Sequence, residues 1–153
     1  MRSLILFFAT GAYTGYFPVA PGTAGSIPGL LLTWLVFAPM WQYSTALFLV
    51  VFAILFAASC WIAGRAEEIF GQRDDSRIVI DEVLGMVATM FLLPTDWRHL
   101  ALGFFLFRLF DVLKPFPANV IDRRMPGGAA VMLDDLSSAV YANLVGHVLA
   151  RFL

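Results

Sequence analysis

The sequence predicts an all-α protein, an integral membrane bundle of four to five helices, and three observations carry that prediction. Sixty per cent of its 153 residues are hydrophobic (60%) and 14% are charged, against about 45–50% and 25% in an average soluble domain. Ser3–Gly64 is a run of 62 residues without Asp, Glu, Lys or Arg, room for two spans of about 20 residues each. The apolar runs lack the alternation of barrel strands, and a helix is the other backbone that satisfies its own hydrogen bonds in lipid. Residues 1–153 read as one domain. With a formal net charge of −1 there is no basic field for nucleic acid. The single cysteine, Cys60, has no internal partner and reads as a small buried hydrophobe.

The elements follow in order. Met1-Arg2 and Leu4–Ala9 faintly suggest a signal peptide, but the apolar part is short and no A-x-A site follows, so the segment reads as mature protein. Whether residues 4–17 cross the membrane or lie on it stays open. Ile27–Phe37 is a short apolar run that Ala38-Pro39 should end, and Tyr43–Ala63 is the clearest span. Val79–Leu93 is apolar but carries Asp81 and Glu82 near its start. Leu100–Val112 should stop at Lys114-Pro115-Phe116-Pro117. Ala129–Leu153 is a last apolar segment interrupted by Asp134 and Asp135.

Charge placement orders these elements. Nine charged residues lie in Arg65–Glu82 and six in Arg108–Arg124. Two spans separate the loops Gly64–Arg77 and Lys114–Gly128, so both belong to one face, cytoplasmic by the positive-inside rule. Two more crossings bring the loop Pro18–Ser26 to the same side. Three loops rich in Gly, Pro and charge thus converge, and chemistry is expected there.

Asp81-Glu82 and Asp134-Asp135 are carboxylate pairs set inside apolar runs, where a charge costs about 2.5–3.5 kcal/mol and is usually paired or functional. Hard oxygen ligands of this kind suit Mg²⁺ or Mn²⁺. Ion pairs with Arg77, Arg108, Lys114, Arg123 or Arg124 would satisfy them equally well. Arg108, Asp111 and Lys114 recur every three residues and share one helix side, where Arg and Lys could grip a phosphate. In Pro18–Ser26, Gly22 allows close backbone approach, and Thr23 and Ser26 offer hydroxyls before an apolar helix; Ser26 as a plain N-cap is the simpler alternative. His99 and His147 sit in no nucleophile motif, so a hydrolase triad has little support.

Four segments in order, Ala20–Ser26, Ile78–Gly85, Phe107–Pro117 and Gly127–Asp135, resemble the phosphatidylglycerophosphatase A family. Its pattern reads as an APGT loop, an IV-x-DE-x-x-G segment, FR-x-FD-x-x-KP-x-P and a glycine-rich turn leading to DD. The resemblance covers about Gly15 to Tyr141. Asp74-Asp75-Ser76 departs from it where Asp-Pro is common, and so does Ser137-Ser138 where Ala-Gly is common. It implies a multi-pass enzyme of the bacterial cytoplasmic (inner) membrane, its active site facing the cytoplasm. The enzyme would remove the terminal phosphate of phosphatidylglycerophosphate with Mg²⁺, giving phosphatidylglycerol. Asp81, Glu82, Asp134 and Asp135 would hold the metal, and Arg108 and Lys114 would stabilise the phosphate. Asp111 would serve as base, further ligand or nucleophile. Gly22, Thr23 and Ser26, with Arg108 and Lys114, would bind substrate, while Asp122 and Arg123 read as structural. The rivals are a small divalent-cation or metabolite transporter lined by intramembrane acids, a CDP-alcohol phosphotransferase, whose D-G-x-x-A-R signature is missing, and a structural membrane subunit.

Overall fold

The computed structural model describes all 153 residues. The chain is entirely helical: α1 (Arg2–Ala9), α2 (Pro21–Leu32), α3 (Ala38–Tyr43), α4 (Thr45–Phe70), α5 (Ile80–Thr89), α6 (Trp97–Leu113), α7 (Ala118–Arg124) and α8 (Gly128–Leu149). Short 3₁₀ turns sit at Thr14–Tyr16 and Ala150–Phe152, and a π-turn at Thr33–Phe37. Two helices are long and apolar enough to cross a membrane, Pro21–Tyr43 and Thr45–Phe70. The first is α2, the π-turn and α3 in continuous succession.

Local chemistry explains where the segments depart from expectation. The expected loop Pro18–Ser26 is helical from Pro21 onward, because proline at N1 gives up an N–H that would have no acceptor anyway. Ala38-Pro39 does not end the first span. Pro39 falls in the first turn after the π-turn, and the helix continues to Tyr43. Helix α4 continues two turns past Ala63 and takes Arg65, Glu67 and Glu68 out of the expected loop. It stops at Gly71, whose left-handed φ of 71° lets its N–H reach the Glu67 carbonyl at 2.8 Å. Helix α7 forms inside Lys114–Gly128, a stretch whose sequence reads as loop.

α1 has 8 residues, about 12 Å of helix, too short to cross ~30 Å of hydrocarbon. It packs against α4 through Ile5 and Ala9, and the Ala9 carbonyl accepts the Val79 N–H at 2.9 Å. α5 has 10 residues, about 15 Å. Its last carbonyls are satisfied from α8: the Asn143 amide donates to Thr89 O (2.8 Å) and Phe91 O (2.9 Å), and His147 Nε2 donates to Phe91 O at 3.2 Å.

α8 lies at the centre, flanked by α4, α5, α6 and α7, while α2 packs on α5. Small residues set the closest crossings. A Cβ at Gly128 would lie 2.2 Å from both Cys60 O and Gly64 N of α4, backbone against backbone. At the far end Phe48 stacks on Phe91 with centroids 4.7 Å apart, and Trp41 meets Phe48 edge-on. Outside the core the surface stays apolar: Trp34, Leu35, Ile54, Trp61, Phe105 and Leu144 are all more than half exposed. A patch of that extent suits lipid rather than water.

Candidate active site

The acidic and basic residues gather at one end of the bundle because four helices start or finish there. α2 opens at Pro21-Gly22, α5 opens with Asp81-Glu82 in its first turn, and α6 ends with Arg108, Asp111 and the cap residue Lys114. α8 contributes Asp134 and Asp135 from its second turn. With Asp74 and Ser76 from the α4–α5 connection, these residues line a cavity of about 280 Å³. The three expected loops therefore do converge on one site.

The metal-ligand candidates divide. Carboxylate oxygens of Asp81, Glu82 and Asp135 lie within 4.8 Å of one another. Asp81 Oδ1, Glu82 Oε2 and Asp135 Oδ2 are buried without a hydrogen-bond partner. Buried carboxylate oxygens without partners are costly, and a divalent cation is a group that would satisfy three of them at once. The donor set therefore fits Mg²⁺ or Mn²⁺. Asp134 reaches the same cavity, but its carboxylate pairs with Lys114 and accepts the Asp135 N–H at 2.9 Å. Lys114 also pairs with Asp122 at 3.1 Å. Burial pulls the Lys114 pKa down, yet its bonds to Asp134 and Asp122 push it further up, and the side chain stays charged.

Arg108 and Asp111 face each other at 2.9 Å (Nη1 to Oδ2), but Arg108 Nη1 makes no well-aligned hydrogen bond. That nitrogen keeps hydrogen-bonding capacity unused inside the cavity. Gly22 packs beside Glu82 and Arg108. A Cβ there would stand 2.2 Å from Glu82 Oε1 and 3.1 Å from Arg108 Nη1, so any larger residue would push the Glu82 carboxylate from its place.

The hydroxyl candidates lie elsewhere. Ser26 is fully buried and donates to the Gly22 carbonyl at 3.0 Å; it neither caps the helix nor enters the cavity. Thr23 projects to the other side of α2, into an apolar groove. Asp74 and Ser76, which line the cavity, carry no distinguishing signal within the polar run Gln72–Arg77. Asp74 is held by a left-handed backbone (φ 48°) and by its N–H to Glu67 Oε1 at 2.7 Å. Behind them Asp75 and Arg77 form a paired clamp, with the guanidinium 3.9 Å over the Phe70 ring.

A helical bundle with an apolar girdle and, at one end, a cleft of carboxylates facing Arg and Lys has the layout of a lipid-phosphate enzyme. Residues 7–150 match the family model for phosphatidylglycerophosphatase A. The chain is 32% identical over 142 residues to phosphatidylglycerophosphatase A of Haemophilus influenzae, covering 92% of this chain and 85% of that protein. It is 34% identical over 144 residues to the Escherichia coli protein of the same name (91% and 81%). A Bacteroides thetaiotaomicron protein, provisionally named a phosphatidylinositol-3-phosphatase, is 34% identical over 149 residues (93% and 91%). No solved structure matches. The chain belongs to the phosphatidylglycerophosphatase A family and is a phosphomonoester hydrolase.

Proposed function

We propose that this enzyme hydrolyses the terminal phosphomonoester of phosphatidylglycerophosphate to phosphatidylglycerol, with Mg²⁺, as a single multi-pass domain of the bacterial cytoplasmic membrane. Residues 1–153 form that domain, with α6 and α8 completing a bundle of four to five membrane helices around the short α5. The site faces the cytoplasm, in keeping with the arginines of the α4–α5 connection and of α7. One observation carries the reading. Six carboxylates and two cations line the cavity, so a phosphate dianion would be repelled unless cationic charge were added. The unpartnered oxygens of Asp81, Glu82 and Asp135 are where a divalent ion would add it, with Asp134 at the edge of the set. When bound, such an ion would neutralise phosphate charge and make a coordinated water more acidic.

The protein side chains supply the remainder. Arg108 and Lys114 hold the equatorial phosphate oxygens, whose charge is redistributed in the transition state. As Arg108 turns to the phosphate it loosens from Asp111, which then accepts the proton of the attacking water. The first-turn N–H groups of Gly22 and Thr23 have no intrahelical acceptor and point toward the headgroup side. Nothing observed favours the transporter reading. The test is phosphate release by the purified protein from phosphatidylglycerophosphate with Mg²⁺, with phosphatidylinositol 3-phosphate in a parallel arm. Faster turnover of the inositol lipid would move the substrate assignment to the activity named for the Bacteroides relative.

A further inference from the structure

We infer that the apolar groove along the outer side of α2 seats an acyl chain of the lipid substrate while its phosphate occupies the acidic cleft. The inference rests on the proposed reading that the substrate is a lipid phosphomonoester.

Two faces of one helix make the arrangement. Gly22, Gly25, Ser26 and Gly29 turn inward, and at Gly25 and Gly29 an added Cβ would meet α5 at less than 3 Å. Thr23, Ala24, Ile27 and Leu31 turn outward at helical spacing and, with Tyr16 and Phe17, line a groove of about 670 Å³. That volume falls in the usual range for small-molecule sites, 300–1,000 Å³.

Continuity identifies the occupant. Ala20 lines both the groove and the acidic cavity, so the two meet at the start of α2. The cavity, about 280 Å³, lies just under the usual range for a site that encloses a whole small molecule. A phosphate and a glycerol fit there, but an acyl chain must leave, and the groove begins where it would leave. Its walls are open to the bilayer side, since Phe17, Ile27 and Leu31 are each more than half exposed. Tyr13 and Tyr16 stand near its mouth, and tyrosine is enriched at the depth where headgroups meet acyl chains. The Thr23 hydroxyl, inside the groove beside the junction, is placed for the ester oxygens of the lipid.

The test is photolabelling of the full chain in detergent micelles with phosphatidylglycerophosphate that carries a diazirine on one acyl chain. Label that concentrates in residues 13–31, and is displaced by excess unlabelled phosphatidylglycerophosphate but not by phosphatidylcholine, is the expected result. Displaceable label on α4 or α8 instead, or none in residues 13–31, overturns the inference. Phosphate release is measured in the same sample. Release with label elsewhere sinks the groove alone, whereas label in the groove without release sinks the phosphatase reading. As a second arm, Ala24→Trp fills the groove. It should lower kcat/KM for a dipalmitoyl substrate at least about tenfold more than for its dihexanoyl counterpart, the effect of expelling about two methylenes from apolar contact. Equal losses on both substrates contradict the inference.

Discussion

Asp134 and Asp135 are adjacent in sequence but have different partners. Asp135 joins Asp81 and Glu82 with an unpartnered oxygen, while Asp134 pairs with Lys114. Asp135→Asn should therefore raise the Mg²⁺ concentration needed for half-maximal rate. Asp134→Asn should lower kcat with little change in that concentration, because its loss is felt through Lys114. Titrating activity against Mg²⁺ separates the two, and identical shifts would contradict the division. Gly22→Ala brings a Cβ into the Glu82 carboxylate, the movable end of a side chain rather than backbone. It should cost about 10²-fold or more in kcat, the scale of losing one electrostatic contact to the transition state. The thermal midpoint should stay near that of the parent; near-parental activity would remove Gly22 from the site. Away from the spans, the Arg77 guanidinium bonded to Asp75 holds that carboxyl below the usual carboxylate range. The pair therefore stabilises the fold above the unfolded pKa of about 3.9, and that stability is lost as pH falls through the lower folded value. Asp75→Asn should be less stable than the parent near neutral pH, with the gap closing in acid. Thermal scans across pH check this, and a constant gap contradicts it.

At the scale of elements, the residues that share the cavity were easier to read in the sequence than the points where helices begin and end. Carboxylates inside apolar runs are expensive enough to be conspicuous, so Asp81, Glu82, Asp134 and Asp135 could be read directly, as could the three-residue recurrence of Arg108, Asp111 and Lys114. Proline was harder to read. Pro21 starts a helix, where its missing N–H costs little, and Pro39 sits inside a continuing one, directly after the π-turn Thr33–Phe37 that breaks the regular i→i−4 ladder. Thr23 and Ser26 read as a pair of headgroup ligands only if a loop precedes Ile27. In the helix Ser26 lies only about 60° around from Thr23, but that step crosses the edge between the two faces, so Ser26 is buried and Thr23 lines the outer groove. The pairing of Asp134 with Lys114 depends on where α6 ends against α8, which adjacency in sequence does not convey. Two element-level predictions follow from the packing. Gly128→Ala forces a Cβ against the α4 backbone, which cannot yield as a side chain can. It should destabilise by about 1–3 kcal/mol, the usual cost of overpacking. Asn143→Leu strips the Thr89 carbonyl of its side-chain donor and leaves the Phe91 carbonyl only His147, at about 1–3 kcal/mol for a buried polar group left unpaired. Denaturation in detergent measures both, and parental stability in either would contradict the packing assigned to it.

At the scale of the molecule, the scarcity of charge and its placement have one consequence. An apolar exterior suits contact with lipid, and most of the charges are gathered at one end, around a cleft in which six carboxylates outnumber Arg108 and Lys114. Metal dependence is therefore the central claim, since it links the acidic cluster, the opposing Arg108 and Lys114, and the family to which the chain belongs. The most direct measurement is phosphate release from phosphatidylglycerophosphate by the purified, folded protein, with Mg²⁺ present, after EDTA, and after Mg²⁺ is restored. The expected result is release that EDTA abolishes and added Mg²⁺ recovers; release unaffected by EDTA, or none under any metal condition while the helical fold persists, would contradict metal-dependent hydrolysis.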